Sequence, residues 1–125
     1  MDFDKHIDFW QDSADEDWKA AEDLLKTGNF RHALFFAHLT MEKLLKAKLV
    51  KKTGEAAPKI HNLARLAELA GLKASDEDAE TMARMNEFQL EGRYPSSLPH
   101  APTREQADDY YNSSKKVIQW LKLQS

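Results

Sequence analysis

The stretch NFRHALFFAHLTMEKLLKAKLVKK, residues 29–52, decides what kind of fold this chain can adopt. Phe30, Ala33, Leu34, Ala37, Met41, Leu44 and Leu45 fall at spacings of three and four, which is the period of one helix face. Phe35, Phe36 and Leu39 widen that stripe well beyond a single seam. A helix apolar around its girth has to be covered on more than one side. It is therefore expected at the centre of a helical bundle, with one flank in the bundle and the other against a partner subunit.

The rest of the chain supplies helices to surround it. Phe9, Trp10, Ala14, Trp18, Ala21 and Leu25 predict an amphipathic helix from about residue 5 to Lys26, stopped by Gly28 in the place of a left-handed cap. Asp12, Asp15, Glu16, Glu22 and Asp23 mark its other face. Gly54 and Pro58 end the central helix. A short helix follows, with Leu63, Leu66 and Leu69 inward and Gly71 as its stop. Ser75 is the expected N-cap of a fourth helix whose first turn, Asp76, Glu77 and Asp78, suits the positive end of the macrodipole. Met82, Met85 and Phe88 are its core positions. Residues 90–102 hold Pro95, Pro99 and Pro102 and read as an extended loop, because proline lacks an amide donor and restrains its predecessor. Thr103 and Gln106 form a capping box for a last helix carrying Ala107, Tyr110, Tyr111, Ser114, Val117, Ile118 and Leu121. No stretch alternates as a strand would. The expected fold is all-α, an antiparallel up-and-down bundle of four or five helices, one domain over residues 1–125 with its core at about 9–122.

Composition narrows the chemistry. Hydrophobic residues make up 42 % and charged residues 31 %, an ordinary globular balance. The absence of cysteine removes disulfides, thiolate metal sites and cysteine nucleophiles. The acidic opening MDFDKHIDFWQDSADED is unlike a targeting peptide, and no apolar run approaches the length of a membrane span, so a cytoplasmic location is expected. A net charge of −3 and a pI near 5.9 give no overall basic excess for nucleic acid, although a local one is compatible with them. No His-x-x-x-His or Glu-x-x-His pair offers a helical metal site, so neither metal nor cofactor is expected.

The motifs in order resemble one family. Gly28-x-Phe30-x-x-Ala33-x-Phe35 opens the central helix, Glu42-Lys43-x-x-Lys46-Ala47 lies in its middle, and His61-x-Leu63-x-x-Leu66 follows. Together with the tryptophan-bearing first helix and Arg93-Tyr94-Pro95, they resemble the HEPN domain (higher eukaryotes and prokaryotes nucleotide-binding). His38, Leu39 and Thr40 stand where members often carry glutamine and small residues. The resemblance implies a helical bundle, commonly a homodimer, often working beside a minimal nucleotidyltransferase in a toxin–antitoxin pair. It also implies, for an active subset, metal-independent RNase chemistry through an Arg-x(4–6)-His motif shared across the dimer. There the histidine moves a proton and the arginine stabilises charge on phosphate.

Arg93 and His100 make an Arg-x(6)-His match just before the last helix. One reading makes them the catalytic pair. The other makes them a surface loop, since Tyr94 follows the arginine where a small polar residue is usual, and Pro95 and Pro99 forbid a regular helix between the two. Arg31 and His38 match the same string on the wrong element and read as a helix-start cation and a histidine at a bundle or dimer surface. Arg93 with Tyr94 is suited to holding a nucleotide, phosphate by the guanidinium and base by the ring. Lys46, with Lys43, Lys48, Lys51, Lys52 and Lys59, concentrates positive charge around the end of the central helix. That cluster reads either as a patch for RNA or nucleotide phosphates or as cations complementing a helix C-terminus, with Glu42 and Lys46 an ordinary i,i+4 pair. His61 is expected to cap or pack the short helix. The reading reached from the sequence is a HEPN component, non-catalytic or weakly active, of a nucleotidyltransferase–HEPN pair that binds nucleotide or RNA. The alternative is a metal-independent RNase toxin.

Overall fold

Gly28 turns the chain back on itself. With φ at 84° it takes a left-handed conformation open to glycine, and the amides of Gly28 and Asn29 return to the carbonyls of Leu25 and Leu24 at 3.2 and 2.9 Å. This closes α1, Phe3–Lys26, and starts α2, Phe30–Thr53, as its antiparallel neighbour. The computed structural model describes residues 3–90 and 100–124, the side chain of Phe3 excepted. Along these follow α3, Leu63–Leu69, then α4, Asp76–Met85, a 3-10 turn over Asn86–Phe88, and α5, Arg104–Leu123. No strand occurs among the described residues. The fourth helix thus stops three residues before Phe88, which the 3-10 turn carries into the core instead.

The caps are those that the side chains dictate. Ser75 accepts from the Asp78 amide at the start of α4, and Thr103 and Gln106 bond each other's backbone in a reciprocal capping box on α5. On α3 the cap is Asn62, whose Oδ1 accepts from the Arg65 amide at 3.0 Å. His61, expected to cap or pack that helix, stands one residue before the cap and turns its ring to the Glu42 carboxylate of α2 at 3.0 Å.

α2 is the axis of the bundle. α1, α3, α5 and the 3-10 turn all pack on it, and α4 fills the space between α3 and α5. Leu34, Met41, Leu45, Leu63, Leu66, Met82, Met85, Val117 and Leu121 are at most 1 % exposed and form the centre of the core. The girth of α2 is therefore covered largely by the chain's own helices. Phe35, Phe36 and Leu39 are left half-buried. Phe9, placed in the apolar stripe of α1 by its spacing, is 63 % exposed. The stripe drifts because a 3.6-residue period cannot keep every fourth position on one line over six turns.

Candidate functional site

The capping box of α5 fixes where the preceding segment meets the bundle. His100, Ala101 and Pro102 arrive there, and His100 is exposed on the rim of a depression of about 470 Å³ that Phe88, Gln106 and Tyr110 share with Glu87. A second hollow of about 160 Å³ adjoins it through Gln106 and Tyr110 and has Arg84 at its far side with Asp109 and Ser113. Two helix faces create this arrangement. Tyr110 of α5 packs edge-on against Phe88, ring centres 5.3 Å apart. Arg84, in the last turn of α4, lies 4.9 Å over the Tyr110 ring and donates to its hydroxyl at 3.1 Å. The guanidinium has no carboxylate partner among the described residues. An arginine held over an aromatic ring, at a hollow that adjoins the one beside an exposed histidine, is a combination able to receive phosphate and a planar base. Nothing in the sequence marked Arg84, because its partner is 26 residues away on another helix.

Arg93 and Tyr94 lie outside the described residues, so their relation to His100 does not enter this geometry. Arg31 and His38, the other match, are on α2. His38 is fully buried, contrary to the surface position expected for it. Its Nε2 donates to the His61 carbonyl at 3.0 Å, and burial, only partly offset by the Glu42 carboxylate, pushes its pKa down. It is a neutral core histidine that pins the loop before α3.

The strongest departure from the sequence reading concerns Lys46. Glu42 and Lys46 are not an ordinary surface pair. Their side chains are 5 % and 7 % exposed, with Nζ 3.2 Å from Glu42 Oε2. Trp10 of α1 covers the ammonium, ring centre 5.6 Å away, and His61 Nδ1 reaches the other carboxylate oxygen at 3.0 Å. Lys46 therefore presents its charge to Glu42 and Trp10, whereas a phosphate-binding patch needs it at the surface. The remaining lysines of that patch sort by partner. Lys43 is held by Asp17 at 2.7 Å and by Ser13 at 2.6 Å, and Lys48 donates to the Gln124 carbonyl. Lys51, Lys52 and Lys59 stay exposed. No group of three His, Cys, Asp or Glu among the described residues is placed to hold a metal ion. No helix there is long and apolar enough to cross a membrane.

Comparison with known structures finds the same bundle elsewhere. TT1696 from Thermus thermophilus superposes with a TM-score of 0.75 at 21 % identity, over 93 % of this chain and 95 % of that one. ST0689, described as an archaeal HEPN homologue, gives 0.70 at 17 % identity over 93 % and 94 % of the two chains. At those identities the likeness speaks for the fold. A comparison with curated proteins finds no match. The family comparison, however, matches the HEPN domain from residue 7 to residue 124, nearly the whole sequence. By that match and that fold, the chain belongs to the HEPN domain family.

Proposed function

We propose that this chain is a cytoplasmic, homodimeric HEPN protein that works beside a small nucleotidyltransferase in a toxin–antitoxin type pair and holds RNA or a nucleotide without cutting it. The observation that carries the binding role is the Arg84–Tyr110 stack opening onto the hollow beside His100. Arginine fits a phosphate, the half-buried Tyr110 ring, backed by the buried Phe88, fits a base, and stacking tolerates any base. An open hollow favours holding over cleavage, because charge developing on phosphate is best stabilised where water is excluded. The nucleotidyltransferase partner rests on the family, whose small members commonly work in that way.

The homodimer is supported by one face of the α1–α2 hairpin. Phe35 and Leu39 lie eleven and seven residues before Lys46 on α2, hence on its face, and Trp10 covers Lys46 with Phe9 edge-on beside it. These rings and chains are half-buried or exposed in the single chain.

The competing reading is a metal-independent RNase built from Arg93 and His100 across the dimer. Labelled structured and unstructured RNA in excess chelator, with wild type beside Arg84→Ala, Arg93→Ala and His100→Ala, separates the two. The holding role predicts intact RNA, with binding weakened by Arg84→Ala and His100→Ala. Cleavage by wild type that Arg93→Ala and His100→Ala both abolish would replace it with the RNase.

A further inference from the structure

A second place on the molecule gathers positive charge, at the opposite end of the bundle from His100. Lys48, Lys51 and Lys52, in the last turns of α2, frame a depression of about 300 Å³ floored by Ala70 and Leu72 at the end of α3. No acidic side chain lines it. Glu68, on the neighbouring turn of α3, is engaged by Arg65 at 3.0 Å. Neither Lys51 nor Lys52 has an ion-pair partner among the described residues. The Lys52 ammonium lies directly against Gly71, where any side chain would displace it. Burial, and secondarily the neighbouring Lys51 charge, push the Lys48 pKa down.

The negative end of the α2 dipole and the Val50 carbonyl, already bonded to the Gly54 amide, give these cations a helix terminus to complement. Such complementation concerns the last turn, which holds Lys51 and Lys52. It does not account for three lysines around one hollow with no carboxylate in it, nor for Lys73, exposed, immediately after Leu72. An anion in the hollow would relieve their mutual repulsion.

We propose that the hollow between the α2 C-terminus and the end of α3 is a phosphate-binding site, contacted by Lys51 and Lys52 with Lys48, which holds the Gln124 carbonyl, on its wall, and that it takes the phosphodiester backbone of an RNA strand. It goes beyond the His100 surface and is separate from it. The 20 residues of α5 run between the two ends, roughly 30 Å at the α-helical rise. Recognition here is by charge alone, with no aromatic ring in the lining, so it is indifferent to base sequence.

The test is fluorescence-anisotropy titration of a labelled single-stranded RNA across a salt series. Wild type is compared with the double variant Lys51→Gln, Lys52→Gln, and separately with Arg84→Ala. Both lysines are exposed, and a circular-dichroism melt checks that the double variant folds. The expected result is several-fold weaker binding by the double variant and a log K against log salt slope shallower by about 1.4, at about 0.7 for each phosphate no longer neutralised. Arg84→Ala should weaken binding without erasing that lysine-dependent part of the slope. Inorganic triphosphate as competitor separates the sources of phosphate. Displacement only at triphosphate in large excess over the RNA phosphates supports a backbone site, whereas displacement at stoichiometric amounts overturns the strand as ligand in favour of a free polyphosphate. Unchanged affinity and slope in the double variant overturn the site. So does a poly-glutamate peptide that competes as well as RNA, because the cluster would then be an acceptor for acidic protein. If Arg84→Ala and His100→Ala are silent while the lysine variant is not, the His100 surface fails and this one stands.

Discussion

Lys46→Met tests the buried ion pair directly. The substitution keeps the volume and the packing under Trp10 but leaves Glu42, 5 % exposed, without the ammonium at 3.2 Å. Removing one partner of a buried pair costs about 3–5 kcal/mol, because the other charge stays desolvated and uncompensated. His61 still reaches Glu42 at 3.0 Å and is 44 % exposed, so water and one hydrogen bond remain to the carboxylate and the lower figure applies, about 3 kcal/mol. With an m-value of about 2 kcal/mol per molar urea, the unfolding midpoint falls by about 1.5 M. The double variant Glu42→Leu, Lys46→Met removes both charges and should recover most of that loss, since an apolar pair of similar volume is often no worse than a buried salt bridge. Urea unfolding of wild type, both single variants and the double variant gives the coupling energy. A Lys46→Met loss below about 1 kcal/mol would refute the reasoning, because that is the value of an exposed pair. It would also return Lys46 to the surface, where phosphate binding is open to it.

Other outcomes follow from the same geometry. Burial lowers the His38 pKa, so below the ordinary histidine value of about 6.5 the unfolded chain takes up a proton that the folded chain refuses. Stability should therefore fall as pH drops from about 6.5, by at most about 1.4 kcal/mol per pH unit from this group, and His38→Gln should remove that component from a pH series of urea midpoints. Thr103→Ala should cost about 1 kcal/mol in the same assay by opening the α5 capping box. Leu39→Asp, which places a charge on the half-buried α2 face, should convert the proposed dimer to a monomer in sedimentation velocity without lowering helicity. An unchanged sedimentation coefficient would move the dimer interface elsewhere.

The helices were legible because each is written locally. Gly28 and Gly71 stop α1 and α3, Ser75 and Thr103 start α4 and α5, and the three-and-four spacing between them is enough. The identity of α2 as the axis was also legible, since no single face could hold Phe30 to Val50. Which polar side chains go inside was not. Glu42 and Lys46 have the spacing of an exposed i,i+4 pair, and only Trp10, 36 positions before Lys46, and His61, 19 after Glu42, bury them. The same holds for the candidate site. Arg84 and Tyr110 are unremarkable in their own windows and meet only because α4 and α5 pack together. The Arg-x(6)-His string, by contrast, was conspicuous in the sequence, and it is the least constrained by the geometry, because residues 91–99 fall outside the described chain.

The docking of α5 bears on how the protein is made. Arg104 donates to the Leu25 carbonyl at 2.7 Å and Lys122 pairs with Asp15 at 3.1 Å, so both ends of the last helix are tied to the first one. During synthesis the α1–α2 hairpin can close early, since its two helices adjoin in sequence. The flank of α2 that Val117, Ile118 and Leu121 seal has no cover until α5 leaves the ribosome. Over that interval the nascent chain shows Leu44, Leu45 and their neighbours to whatever is nearby. Translation speed through residues 100–124 thus sets how long a sticky intermediate lives, and a partner or chaperone that shields α2 during that window would raise the yield of folded protein without touching its final stability.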